Sequence, residues 1–151
     1  MEVFSADSTH VLIQLNEVLS SAIVILAFSL FVYTFTSNVK SSVGRSFAVL
    51  LACMCFTYAG DVALFKVENV GDAIPWLKFQ WIGIAFIPAA YLHFSDALLR
   101  LTNAVSPRRR FAVLLAYFFG LVLFLLALTS DYLVRQPFYS PGITQFRAGP
   151  F

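Results

Sequence analysis

His93, Asp96 and Arg100 follow one another at spacings of three and four residues inside an otherwise apolar stretch. On a helix those spacings put all three on one face, so the Asp96 carboxylate can reach both the imidazole and the guanidinium. Two chemistries are open to such a group. Asp96 and Arg100 can neutralise each other near a membrane surface while His93 hydrogen-bonds a neighbouring helix. Alternatively, the three can form a protonation-sensitive relay, because an unperturbed imidazole titrates at ~6.5. A metal site is not expected, since only His93 and Asp96 are ligand types there and a site takes three or four ligands.

A second polar group is built from different stretches of the chain. Glu17, Asp61 and Lys78 fall at similar depths near the opposite ends of three apolar runs. If the runs pack together, Lys78 can bridge one or both carboxylates, either fixing a helix bundle or shaping an outward-facing polar pocket. Ionisable groups cost on the order of 2.5–3.5 kcal/mol each at the centre of a membrane helix, but far less within a turn or two of its end. The chain has no glycine-rich phosphate loop, no nucleophile elbow and no zinc-protease helix motif, and His10 and His93 fall at opposite ends of the membrane. No enzyme activity and no cofactor are therefore expected of this chain. Cys53 and Cys55 are two apart, point in different directions on a helix and imply no disulfide.

The elements that must hold these residues are membrane spans. Of 151 residues, 60% are hydrophobic and 12% charged, and the charges cluster between long apolar runs. Water cannot be the main solvent of such a chain, and a net charge of +2 is too small to argue for nucleic acid. Four spans are predicted, at about 11–35, 47–65, 74–99 and 111–130, each close to the ~20 residues that cross a ~30 Å hydrocarbon core. TSNVKSSVGRS and KVENVGDA connect the first three, and RLTNAVSPRRR leads into the fourth, with Ser106 and Pro107 as cap and first-turn residue. From Asp131 to Phe151 no run is long enough to cross, and the segment reads as a loop. The fold expected is an all-α polytopic transmembrane helix bundle forming one region, 1–151.

The third span carries the clearest pattern. At ~100° per residue, Lys78, Ile82, Ala85, Ala89, His93, Asp96 and Arg100 fall within about an 80° arc of polar and small side chains. Small residues let backbones approach and polar ones seek partners away from lipid, so this face is expected to point into the bundle. Trp81, Ile84, Ile87 and Tyr91 lie opposite, facing lipid or bulky neighbours. Pro88, between the two halves, is expected to kink the helix.

Basic residues set the orientation. Lys40, Arg45, Arg100, Arg108, Arg109 and Arg110 share one side of the four spans, against Lys66, Arg135, Arg147 and Lys78 on the other. Short loops rich in Lys and Arg stay in the cytoplasm, so both ends of the chain are expected outside, in a plasma or inner membrane. The first ten residues contain Glu2 and Asp7 but no Lys or Arg, so no cleaved signal peptide is expected. Trp76, Trp81, Tyr132 and Tyr139 are placed as interfacial anchors.

The stretch FQWIGIAFIPAAYLHFSDALLRLT, Phe79 to Thr102, resembles the third span and following basic loop of the N-terminal seven-helix region of bacterial sensor histidine kinases. Trp81, Gly83, Pro88, Tyr91 and Phe94 stand at the matching places, and TYAGDVALF, ending at Phe65, is similar to the family's second span. RAGPF, Arg147 to Phe151, resembles the entry to a fifth. Where the family often has two prolines in the third span, Pro88 is followed by Ala89. The resemblance implies a sensory input module of a two-component system, present as the first four helices. Its partners would then be the bilayer, further C-terminal helices and a cytoplasmic output domain carrying any kinase activity, or a second copy. The parity of the spans agrees: four return the chain outside, whereas seven would deliver an output domain inside. Two other readings are a small transporter or channel subunit, with Glu17, Asp61 and Lys78 along its path, and a bundle that assembles only with a partner protein.

Overall fold

The computed structural model describes residues 2–67, 70–102, 107–129, 135–140 and 143–147, with side chains described for 11–67, 71–102 and 107–129. Four helices carry the architecture: α1 (Glu2–Ser37), α2 (Ser42–Leu64), α3 (Val70–Leu101) and α4 (Pro107–Thr129). All four are long and apolar enough to cross a membrane, and the membrane region is all-helical as expected. Their ends follow local chemistry. Ser41 caps α2 by accepting a hydrogen bond from Gly44 N at 2.9 Å, and α4 opens on Pro107, where a missing N–H leaves nothing unsatisfied. Ser106, its expected cap, lies outside the described residues.

Hydroxyls on exposed faces and inside the seams alike bond back into their own helices. Ser29 donates to Ile25 O at 2.7 Å, Ser46 to Ser42 O at 3.0 Å, Thr57 to Cys53 O at 3.1 Å and Thr129 to Leu125 O at 2.7 Å. A bilayer offers no water to satisfy these groups, so the nearest free lone pair of a carbonyl one turn earlier serves instead.

Each helix packs on its neighbour in sequence, with the α2–α3 interface the most extensive and α1 and α4 on the flanks. Small residues recurring about every seven positions make the seams. The buried side chains of the described part of α1 are Ser20, Ala27 and Thr34, and on α2 Ser46, Cys53 and Gly60 are buried at the same interval. On α3, Gln80, Gly83, Ala90, Phe94 and Ala97 form a stripe with the alternating three-and-four spacing of an interhelical seam. Phe94 meets Phe47 of α2 at 5.2 Å between ring centres, which fixes α2 as the helix this stripe faces.

The small-residue face read from the sequence is the other side of α3. Ala85, Ala89 and Asp96 on it are buried, and Gly120 of α4 lies against the Ala85 carbonyl. Thus α3 is packed on two faces and not one. Of the residues placed opposite, Tyr91 is 60% exposed and Ile84 is also exposed, while Trp81 and Ile87 are half-buried. α3 stays helical through Pro75 and Pro88, and Pro88 deprives the Ile84 carbonyl of its usual N–H partner.

Beyond the helices, Arg135–Ser140 (β1) and Ile143–Arg147 (β2) pair antiparallel, Ser140 opposite Ile143 and Tyr139 opposite Thr144, with an irregularity between Arg135 and Pro137. Read as a loop from the sequence, this segment has aromatic and β-branched residues on both sides of Pro141 and Gly142, a composition that favours a hairpin. β1 approaches α3. The expected start of a fifth span after Arg147 lies outside the described residues, as does Tyr132.

Two glycines set how closely α2 and α3 approach. A Cβ at Gly83 would collide with the Thr57 hydroxyl and the Cys53 carbonyl, and one at Gly60 with Cγ of Gln80. Gly71, with open space around it, is the natural control. Gly83→Leu is therefore expected to destabilise the purified protein by about 1–3 kcal/mol, the usual cost of overpacking. Gly71→Ala should leave stability unchanged, as measured by denaturation in mixed micelles; equal effects would show that the seam is not tightly packed at Gly83.

Candidate functional site

The α2–α3 seam encloses a polar contact in its outer half, meaning the half that holds Asp61 and Lys78. Gln80, 7% exposed, donates from Nε2 to the Asp61 carboxylate and also to Thr57 O at 3.3 Å. The geometry follows from the seam: Gly60 lets Gln80 lie flat against α2, and the Thr57 carbonyl one turn away lies within reach. The sequence alone does not mark Gln80 and Thr57 as partners. Their signal was a polar residue three positions from a glycine on one span, facing a Thr, Gly, Asp series at spacings of three and one on another.

Lys78, two residues earlier, faces the other way. Its Nζ donates to Leu128 O at 3.2 Å. Leu128 is in the last turn of α4, where carbonyls have no intrahelical partner and the helix dipole favours a cation. The bridge from Lys78 to Asp61 or Glu17 considered from the sequence is thus not the contact Lys78 makes. Lys78 and Gln80 stand about 200° apart around α3, so one side chain serves α4 and the other α2. Glu17 is half-buried on α1.

The inner half of α3 repeats this division. Asp96, only 4% exposed, accepts from Arg100 Nε at 2.9 Å and also from its Nη2, an ion pair along one helix face. His93 turns to α4, where Nδ1 and the Tyr117 hydroxyl are 3.3 Å apart and the rings meet edge to face, 6.0 Å between centres. Phe86 packs on Tyr117 and Phe124, extending the same α3–α4 surface. The three residues expected to act as one cluster therefore form two contacts: a pair within α3 and a cross-helix contact to α4. His93 nevertheless sits in the combined field of Arg100, Asp96 and Arg45.

α3 thus holds α2 through Gln80 and holds α4 through Lys78 and His93, with Pro88 between the outer and inner contacts. None of these groups is arranged as a nucleophile beside a base; what the arrangement can do is bias how α3 seats against its two neighbours. Double-mutant cycles should find Asp61→Ala with Gln80→Ala, and His93→Phe with Tyr117→Phe, coupled by about 0.6 and at most ~1.7 kcal/mol, the range for polar contacts between membrane helices. Strict additivity in unfolding measurements would dissolve the corresponding contact.

Residues 18–151 match a family described as the N-terminal 7TM region of histidine kinase. No curated protein and no solved structure matches the chain. The matched family is a sensory input region and not a catalytic domain, in keeping with a site made of interhelical contacts. Four apolar helices and a family match that takes in all of them but the start of α1 place the protein in the N-terminal seven-span membrane region of histidine kinases.

Proposed function

We propose that the chain is the membrane-embedded sensory input of a histidine kinase and that α3 is the element that moves. The family match carries this reading, and the two-sided contacts of α3 support it. Outer and inner contacts are separated by about 13–15 residues, roughly 20 Å along a helix. A stimulus that reseats Gln80 against Asp61, or Lys78 against the end of α4, shifts the population of α3 positions. The inner end then changes its hold on Tyr117 and the exposure of the Asp96–Arg100 pair. Pro88, without an N–H to hold the preceding turn, is the flexible point at which the halves pivot. The seams are small residues punctuated by aromatic pairs, Phe47 with Phe94 and Phe86 with Tyr117, so a shift of α3 is a step between packed positions and not a free slide.

In this reading the basic connectors are cytoplasmic and the N-terminus lies outside. Further helices follow the four described here and lead to a cytoplasmic kinase core of a two-component system. A transporter reading gains nothing from the contacts, since the polar atoms of Asp61 and Gln80 are turned to each other within a seam.

Two experiments test this. In a full-length parent, Asp96→Asn together with His93→Ala is expected to shift basal or stimulated kinase output several-fold at unchanged expression; unchanged signalling would remove the relay. For orientation, single cysteines placed at Lys66 and at Arg109, in a chain lacking Cys53 and Cys55, should react with a membrane-impermeant maleimide in intact cells at position 66 only. Labelling at 109 alone would invert the topology.

A further inference from the structure

At the inner end of α1, α2 and α3 lies an open cavity of about 410 Å³ that the signalling contacts do not use. Its volume falls in the range of small-molecule sites. Leu30, Val43, Phe47 and Phe94 give it apolar walls, and Thr34 and Asn38 bring polar groups to it. The paired Phe47 and Phe94 rings close its α2–α3 side. Tyr33, at 61% exposure, stands at the mouth, the place where amphipathic aromatic rings meet the headgroup layer.

The charges around this cavity are of one sign. Between Glu17 and Asp61 the chain has no acid, while two exposed bases fall in sequence among the cavity residues, Lys40 between Asn38 and Ser41 and Arg45 between Gly44 and Phe47. At this end of the four helices there are six basic residues, Lys40, Arg45, Arg100 and Arg108 to Arg110, and one acid, Asp96, which Arg100 already engages. A cleft that is apolar within, polar at its rim and cationic outside matches a molecule with a hydrocarbon tail and an anionic head. Basic clefts between membrane helices at this surface take acidic lipids for that reason.

We propose that the cleft between α1, α2 and α3 is a binding site for an anionic glycerophospholipid. One acyl chain lies against Leu30, Phe47 and Phe94, and the phosphate lies within reach of Lys40 and Arg45. The site needs no assumption about signalling and stands or falls apart from it.

The test uses the whole chain, purified in a mild nonionic detergent and exposed to phosphatidylglycerol, phosphatidylcholine or inorganic phosphate. Native mass spectrometry is expected to show one retained phosphatidylglycerol, with about tenfold preference over phosphatidylcholine, or ~1.4 kcal/mol, and no retained phosphate. A photoactivatable phosphatidylglycerol should label residues in the 30–47 segment or near Phe94. The Lys40→Gln/Arg45→Gln variant should lose the preference, Leu30→Trp should lower retention of any lipid, and Lys66→Gln, at the opposite end of the helices, should do neither. Equal retention of the two lipids by the native chain, photolabelling elsewhere, or a preference that survives the double substitution would each overturn the assignment. So would a dimer that buries the cleft and excludes lipid. The photolabelling of the native chain decides the matter even if a variant fails to fold.

Discussion

Inside a bilayer, two helices gain nothing by hiding apolar surface from each other, because lipid tails are as apolar as leucine. What holds this molecule together must therefore come from close packing and from polar groups that find partners. Both are concentrated on the same seams. Ser20, Ala27 and Thr34 on α1 and Ser46, Cys53 and Gly60 on α2 keep backbones close enough for dispersion contacts to add up. The same closeness is what puts Gln80 within bonding distance of Asp61 and the Thr57 carbonyl. Remove the small residues and the polar contacts go with them.

The middle position of α3 follows from that constraint. A helix with two neighbours needs two compatible surfaces, and α3 has one of small and aromatic residues towards α2 and another of small and ionisable residues towards α4. Its polar residues are distributed so that no depth is tied on both sides by one side chain: Gln80 serves α2, Lys78 and His93 serve α4, and Asp96 turns back to Arg100 on the same helix. Such a helix can change its hold on one neighbour while keeping the other, which is the mechanical requirement of an input region that passes a shift through a membrane.

The spans were legible because a ~30 Å slab imposes a length of apolar sequence that little else imposes. The Asp96–Arg100 pair was legible because a spacing of four needs only a helix, not a neighbour. The destination of His93 was not, since Tyr117 is twenty-four residues away and becomes adjacent only once α3 and α4 pack. Lys78 misled for a related reason: a carboxylate is the obvious partner for an ammonium, but a helix terminus offers carbonyls that no residue letter announces. The stripe towards α2 escaped because it mixes Gln, Gly, Ala and Phe, so neither polarity nor size alone marks it. The hairpin is not legible from span length, because its strands of six and five residues are far shorter than a span.

Gly83 sits where an added methyl group would strike both the Thr57 hydroxyl and the Cys53 carbonyl, and that hydroxyl is itself bonded to that carbonyl. The space at 83 is therefore bounded by the backbone of α2 as well as by one of its side chains. Because the Cys53 carbonyl and the Thr57 amide are backbone, no smaller side chain at 57 makes room for a larger residue at 83; only a wider spacing of the two helices does. A side chain at 83 would thus act as a spacer, and the first thing it would lengthen is the reach of Gln80 to α2.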